Sequence, residues 1–135
     1  PRFKGLKAYE RITRDYHNLI RLTSSNLLDG LPNLTIIAAH CGGYALLFPD
    51  YIGEERMKQI YFDTGAIHSK YGLKRIQMAI NLIGAEKILF GSDDWIVNCH
   101  CTQEIMLNAI KQLSLNEEEE RKILGENAAK ILNIS

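Results

Sequence analysis

Residues 34–43 read Leu-Thr-Ile-Ile-Ala-Ala-His-Cys-Gly-Gly, and this stretch indicates the fold class. Its first six residues (34–39) form a run without polar alternation, which is typical of a strand buried on both faces of a parallel sheet. The run ends abruptly at His40, and the two glycines that follow, Gly42 and Gly43, allow the backbone to turn tightly. The stretch therefore predicts a buried strand that ends in a histidine whose ring is accessible to a ligand.

The same unit, an apolar run closed by a polar turn, recurs twice along the chain. Residues 59–62 (Gln-Ile-Tyr-Phe) lead into 63–65 (Asp-Thr-Gly), and residues 87–90 (Lys-Ile-Leu-Phe) lead into 91–94 (Gly-Ser-Asp-Asp). Three-and-four spacing of apolar residues predicts helices around these runs, over 8–28, in part over 44–58, over 73–83 up to Gly84, over 105–113 and from Asn116 onward. Alternating strands and helices predict an α/β fold with a parallel sheet. Its strands end at one rim, where binding and catalysis take place.

Composition narrows the class of protein. With 135 residues and 46% hydrophobic composition, the chain has the size of a single domain, 1–135, with one core. Balanced acidic and basic residues argue against a nucleic-acid partner, and the longest apolar runs are far shorter than the roughly 20 residues that cross a membrane. Three cysteines without a disulfide framework favour reduced thiols and a cytoplasmic location. The start at Pro1 rather than Met fits a chain taken from a longer reading frame, although removal of a tag would give the same start.

Each predicted strand is followed by one residue whose side chain could bind a ligand or take part in catalysis. The imidazole of His40 could contact a ligand, or it could hydrogen-bond the next loop or cap the following helix. The carboxylate of Asp93 could bind a metal cation or accept a proton from water, or it could serve as an N-cap or turn residue. Asp63 precedes Thr-Gly, a sequence in which aspartate commonly hydrogen-bonds its own turn, so a structural role is favoured there.

Other polar clusters give weaker signals. Residues 98–101 (Asn-Cys-His-Cys) contain zinc-ligand types, but closed zinc sites usually place two or more residues between paired ligands, so a metal role is disfavoured. His17 and His68 lie on helix-forming segments and are interpreted as solvated or partly packed. Trp95 could line a substrate pocket or pack over the end of the sheet. No glycine pattern typical of phosphate binding is present.

Four segments in order resemble the C-terminal portion of the amidohydrolase superfamily. They are residues 31–43 (LPNLTIIAAHCGG), 60–65 (IYFDTG), 88–93 (ILFGSD) and 126–132 (ENAAKIL). The branch they resemble is amidohydrolase-2, which includes the aminocarboxymuconate-semialdehyde-decarboxylase-like enzymes. The resemblance implies a (β/α)8 barrel of which this chain supplies the sixth, seventh and eighth strands, since a complete barrel needs about 250 residues.

The resemblance also implies roles for two of the candidate residues. It makes His40 an active-site histidine that contacts substrate or transfers a proton. It makes Asp93 a carboxylate that binds the metal and handles the proton of its water. The H-x-H pair that supplies other metal ligands in this family is absent from the sequence, and Asp94 and Trp95 follow Asp93 without the usual proline.

The resulting hypothesis is a cytoplasmic hydrolase or decarboxylase that uses a divalent metal, zinc as the first choice, on a small carboxylated or cyclic organic substrate. The isolated chain is expected to be inactive and to self-associate or pair with a missing N-terminal half, because an incomplete barrel exposes strand edges and apolar side chains. The alternative is a non-enzymatic α/β module that binds a ligand or a partner chain, with His40 and Asp93 only capping loops.

Overall fold

The computed structural model describes residues 18–43, 49–65, 73–93 and 102–134. Three short parallel strands, β1 (Ile36–Ala38), β2 (Ile60–Asp63) and β3 (Ile88–Leu89), form a sheet in which β2 is central. The α-helices of the described residues are α1 (18–23), α2 (Pro49–Ile52), α3 (Glu54–Gln59), α4 (Leu73–Ile83), α5 (Gln103–Lys111), α6 (Glu117–Arg121) and α7 (Asn127–Leu132). A π-helical turn, Lys122–Glu126, joins α6 to α7.

The predicted parallel sheet is confirmed, with strands in sequence order. Ile36 to Ala38 pair with Ile60 to Phe62, and Phe62 and Asp63 pair with Ile88 and Leu89. Because the three strands run in the same direction, their C-terminal ends lie together at one end of the sheet. We call this end of the sheet the rim, and the residues that follow each strand come together there.

The sheet has one covered face and one partly open face. Successive side chains of a strand point to opposite faces, so Ala38, Ile60, Phe62 and Ile88 share one face. That face packs against Leu19, Ile76, Ile80, Met106 and Ile110, which come from α1, α4 and α5. Ile60, Phe62 and Ile88 are completely buried there.

The opposite face corrects the expectation that residues 34–39 are buried on both sides. The strand is shorter than predicted, and Ile37 is 53% exposed, because β1 lies at the edge of the described sheet and its second face has no covering layer in the described residues. Tyr61 and Asp63, on the same face of β2, are half-buried. Only the helix-covered face of β1 fulfils the sequence prediction.

The first predicted helix is also interrupted earlier than expected. Its described part is helical over 18–23, and a 3-10 turn, Asn26–Leu28, follows. Between them, the hydroxyls of Thr23, Ser24 and Ser25 donate to the carbonyls of Leu19, Ile20 and Leu22. Three successive hydroxyls that bond to preceding carbonyls compete with the regular helical pattern and end the helix.

The other helix predictions within the described residues are confirmed. Gly84, with φ 83°, ends α4, and Asn116 forms the predicted N-cap of α6. Helical segments also occur within 44–58, as predicted. No helix of the described residues is long and apolar enough to cross a membrane. His17, His68, Trp95 and the cluster at 98–101 lie outside the described residues.

Candidate active site

The rim begins with a left-handed turn directly after β1. His40, Cys41, Gly42 and Gly43 all have positive φ, with values of 54°, 50°, 65° and 62°. The amide of Gly43 donates to the carbonyl of His40 at 3.0 Å, which closes the turn. Glycine adopts this conformation freely, but each L-residue with a side chain costs about 1–2 kcal/mol there. His40 and Cys41 must therefore be held by their surroundings, which is typical of functional sites.

Asp63 supplies part of that restraint. It is the last residue of β2, and since β1 and β2 are neighbours, its carboxylate reaches the turn after β1. The oxygen Oδ1 accepts the backbone N–H of His40 at 2.9 Å and the backbone N–H of Gly65 at 2.9 Å. Hydrogen bonds from amides to a carboxylate are stronger than those to a neutral acceptor, about 1.5–3 kcal/mol each. The bond from the His40 amide therefore offsets part of the cost of the left-handed backbone.

The ring of His40 has a defined partner as well. Its Nδ1 lies 2.7 Å from the carbonyl oxygen of Gly65. Because a carbonyl can only accept a hydrogen bond, Nδ1 carries the proton in this arrangement, and the neutral ring then has its lone pair on Nε2. A carbonyl bonded to one ring nitrogen is the usual way in which proteins prepare the other nitrogen for a metal or for proton transfer.

Thr64 connects the end of β2 to the loop that carries Asp93. Its buried hydroxyl donates to the carbonyl of Gly91 at 2.9 Å and accepts the amide of Gly91 at 3.0 Å. Asp93 itself has a positive φ of 57°. A Cβ placed on Gly65 would lie 3.0 Å from Oδ1 of Asp63 and 3.4 Å from Cβ of Asp93, so both aspartates lie against this glycine.

His40, Asp63 and Asp93 therefore all lie next to Gly65. His40 bonds to its carbonyl, Asp63 accepts its amide, and Cβ of Asp93 would lie 3.4 Å from a Cβ placed on it. A larger residue at Gly65 would press into this cluster. The structure thus brings the three predicted residues to one rim and places Asp63 on the strand between the other two.

Cys41 is a packing residue rather than a nucleophile. It is a free, buried cysteine, and burial, reinforced by the negative charge of Asp63, raises the pKa of its thiol well above the ordinary value. The positive charge of Arg75 opposes this shift but does not outweigh it. A thiol that stays protonated is a poor nucleophile and a poor metal ligand.

The donor types at the rim fit a divalent metal, although the described residues do not complete a site. Carboxylate oxygen and imidazole nitrogen, as in Asp93 and His40, are ligands that zinc and manganese accept. Within 18–43, 49–65, 73–93 and 102–134, no group of three or more potential ligand residues is close enough to hold an ion. A metal bound at this rim would therefore need further ligands from outside the described residues.

Sequence reasoning finds the three side chains but misses how they are connected. The Asp-Thr-Gly stretch indicates only a turn, whereas Thr64 and Gly65 provide the contacts to the neighbouring strand ends. A usable signal is present in the predicted order of parallel strands. It places Asp63 between His40 and Asp93, so that its carboxylate can reach beyond its own turn.

A family model described as amidohydrolase matches residues 12–134. The chain therefore belongs to the amidohydrolase family, in the amidohydrolase-2 branch that the sequence resembles. A comparison with curated protein sequences gives no match.

Solved structures of related enzymes share the fold. 5-Carboxyvanillate decarboxylase from Sphingomonas paucimobilis has a TM-score of 0.71 at 19% identity, with 88% of this chain and 39% of that chain covered. 4-Oxalomesaconate hydratase from Rhodopseudomonas palustris has a TM-score of 0.73 at 17% identity, with 92% and 43% covered. A dihydroxybenzoic acid decarboxylase from Polaromonas, solved with manganese and the inhibitor 2-nitroresorcinol, has a TM-score of 0.67 at 23% identity, with 89% and 40% covered.

The chain thus spans about two-fifths of the length of these three proteins. The predicted fold class, about three strands and their helices from a (β/α)8 barrel, is confirmed. In such barrels the site lies at the C-terminal ends of the strands, which is the rim described above.

Proposed function

We propose that this chain carries part of the active site of a metal-dependent decarboxylase or hydrolase that acts on a small carboxylated or cyclic organic substrate. The observation that carries the proposal is the convergence of His40 and Asp93 on Gly65, at the C-terminal rim of a sheet from this family. The names of the related structures support the substrate class, since two of them are decarboxylases of aromatic carboxylic acids.

Asp93 is the metal ligand contributed by the described residues, and His40 is the neighbouring group that handles protons. A bound divalent metal supplies Lewis-acid polarisation of water or of a substrate carbonyl. Zinc is the first choice because it accepts both carboxylate and imidazole, and manganese is the second because the Polaromonas decarboxylase contains it.

The two side chains have complementary proton chemistry. The carboxylate of Asp93 accepts a proton, while the neutral ring of His40, with its Nδ1 bonded to Gly65, can accept or return a proton at Nε2. His40 would also orient the substrate, because its ring direction is fixed by the Gly65 carbonyl. This placement of the ring requires an unfavourable left-handed backbone conformation at His40.

The partly open face of the sheet supports pairing with further polypeptide. Ile37 is exposed on this face, Leu34 is exposed just before β1, and a groove of about 230 Å³ runs between α1 and β1. An exposed strand edge with apolar side chains is normally covered by another segment. We propose that the rest of a barrel, or a second copy of this chain, covers it. The free, buried Cys41 agrees with a reducing, cytoplasmic setting.

Metal binding by the 135-residue chain tests the proposal. We expect zinc and manganese to bind weakly, with dissociation constants above the micromolar range, because useful zinc sites take three or four protein ligands. Calorimetric titration should show that Asp93→Asn weakens binding by about 10-fold or more, which is about 1.4 kcal/mol. Asp29→Asn is the matched control, since Asp29 precedes β1 and contacts Arg56 instead of the rim.

The same titration can contradict the proposal. Equal affinity in the wild-type chain and in Asp93→Asn would remove Asp93 from the metal site. Light scattering after size-exclusion chromatography tests the pairing, for which we expect self-association of the isolated chain. A stable monomer that binds zinc more tightly than micromolar would contradict both the pairing and the incomplete site.

A further inference from the structure

We infer that Asp63 is a positioning residue that fixes the ring orientation and the tautomer of His40. The role of Asp63 in catalysis rests on the proposed function, whereas its effect on the ring of His40 does not. The carboxylate of Asp63 acts through backbone amides rather than through the imidazole ring. Those amides belong to His40 and Gly65, the two residues that define the position of the imidazole.

The inference follows from a closed chain of three hydrogen bonds. Oδ1 of Asp63 accepts the amide of His40 at 2.9 Å and the amide of Gly65 at 2.9 Å, and the carbonyl of Gly65 accepts the ring Nδ1–H of His40 at 2.7 Å. One carboxylate oxygen therefore anchors both the backbone that carries the imidazole and the residue that holds the imidazole ring. Moving that oxygen would change the distance between the ring and its acceptor.

A simple turn aspartate does not need this arrangement. The bond from the Gly65 amide, two residues away, is the ordinary turn contact that the sequence predicts. The bond from the His40 amide spans 23 residues and two strands, and it meets a residue whose φ of 54° is unfavourable for histidine. The same carboxylate thus serves the turn and also stabilises the strained backbone at the proposed proton-transfer residue.

The carboxylate of Asp63 packs closely against Gly65. A Cβ on this glycine would approach Oδ1 of Asp63 to 3.0 Å, so a side chain at this position would require the carboxylate to shift. On the far side, the hydroxyl of Thr64 holds Gly91 through two hydrogen bonds. Thr64 therefore offers a matched control, because its hydroxyl fixes the same strand end toward β3 and away from His40.

Nitrogen NMR of the imidazole in the 135-residue chain tests the inference directly. Spectra would be recorded with a chelator present at about pH 8.5, well above the ordinary imidazole pKa of about 6.5. In the wild-type chain we expect His40 in the Nδ1–H tautomer. In Asp63→Ala we expect loss of the single tautomer and appearance of the Nε2–H form. Thr64→Val, which keeps the side-chain shape and removes the hydroxyl, should retain the wild-type tautomer.

A second variant keeps the test decisive if Asp63→Ala does not fold. Asp63→Asn retains an oxygen at Oδ1 but removes its charge, so we expect the Nδ1–H tautomer to persist while the amide proton resonances of both His40 and Gly65 move upfield. An unchanged tautomer in folded Asp63→Ala, or an unchanged His40 amide shift in Asp63→Asn, would overturn the inference. Neither readout involves a metal, so failure here is distinguishable from failure of the metal titration.

Discussion

The rim and the C-terminal helical segment (117–132) are stabilised by contacts of very different range. At the rim, four successive residues from His40 have positive φ, and the bond that holds them comes from Asp63, 23 residues away. In the helical segment, Asn116 and Glu119 form a reciprocal capping box, and Lys122 pairs with Glu118 one turn away. A long-range bond therefore holds the strained backbone of the rim, whereas the start of the helical segment is stabilised by contacts within one turn.

The two regions nevertheless meet at β3. The buried side-chain amide of Asn127 donates to the carbonyls of Ala85 and Ile88, both at 2.8 Å. The amide of Phe90 donates to the carbonyl of Ile123 within the π-helical turn, at 3.0 Å. The helical segment therefore supports the strand from which the Asp93 loop leaves.

Of the substitutions that test the difference between the rim and the helical segment, Gly42→Ala should lower the free energy of unfolding the most. Gly42 has φ 65°, and a Cβ there would lie 2.9 Å from Leu19 and 3.1 Å from the ring of Phe62. Left-handed strain and overpacking together predict a loss of about 2–4 kcal/mol. Urea denaturation followed by circular dichroism measures this loss. A loss below about 1 kcal/mol, less than left-handed strain alone should cost, would show that the turn relaxes easily.

The rim also shows where sequence reasoning stops. The strand ends and their polar residues were predictable because apolar runs, glycines and turn residues are local signals. The left-handed backbone of His40 and Cys41 was not, because residues with side chains rarely adopt it and the Asp63 carboxylate that accepts the His40 amide lies 23 residues away. The apolar run alone predicts burial of Ile37, but its exposure agrees with the expectation that an incomplete barrel exposes apolar side chains of residues 34–39.

Cys41 should make the stability of the rim depend on pH. Burial raises the pKa of its thiol in the folded chain above the ordinary value of 9.0, so the unfolded chain loses the proton first as the pH rises. Stability from this group is therefore complete below about pH 8.5 and falls above it, by at most about 1.4 kcal/mol per pH unit. Unfolding free energies of the wild-type chain and of Cys41→Ser, compared from about pH 7 to 10, isolate this effect.

The serine side chain at position 41 does not ionise between about pH 7 and 10. The free energy of unfolding of this variant should therefore fall less steeply than that of the wild-type chain over the alkaline range. Cys99 and Cys101 are present in both proteins and cancel in the comparison. Parallel pH curves for the two proteins would mean that the Cys41 thiol ionises as readily in the folded chain as in the unfolded one.

Asn116→Ala tests the local contacts of the helical segment. The side chain of Asn116 accepts the amide of Glu119 at 2.9 Å, and the carboxylate of Glu119 accepts the amide of Asn116 at 2.9 Å. Loss of such a cap costs about 1 kcal/mol, measured as a lower unfolding free energy. Asn116→Ser is the control, since serine caps helices almost equally well and should retain most of the stability. Equal losses for both variants would mean that the cap does not stabilise the helix.

Gly125→Ala is the smallest expected effect and the direct counterpart of the substitution at Gly42. Gly125 lies in the π-helical turn, its φ is not left-handed, and nothing lies within 4 Å of a Cβ placed there. Alanine loses less backbone entropy than glycine on folding, so the substitution should raise the unfolding free energy by about 0.5–1 kcal/mol. The same chemical change thus has opposite signs in the two regions. A destabilised Gly125→Ala, measured in the same denaturation experiment, would show that the π-helical turn needs glycine. The helical segment would then share the strain that the comparison assigns to the rim alone.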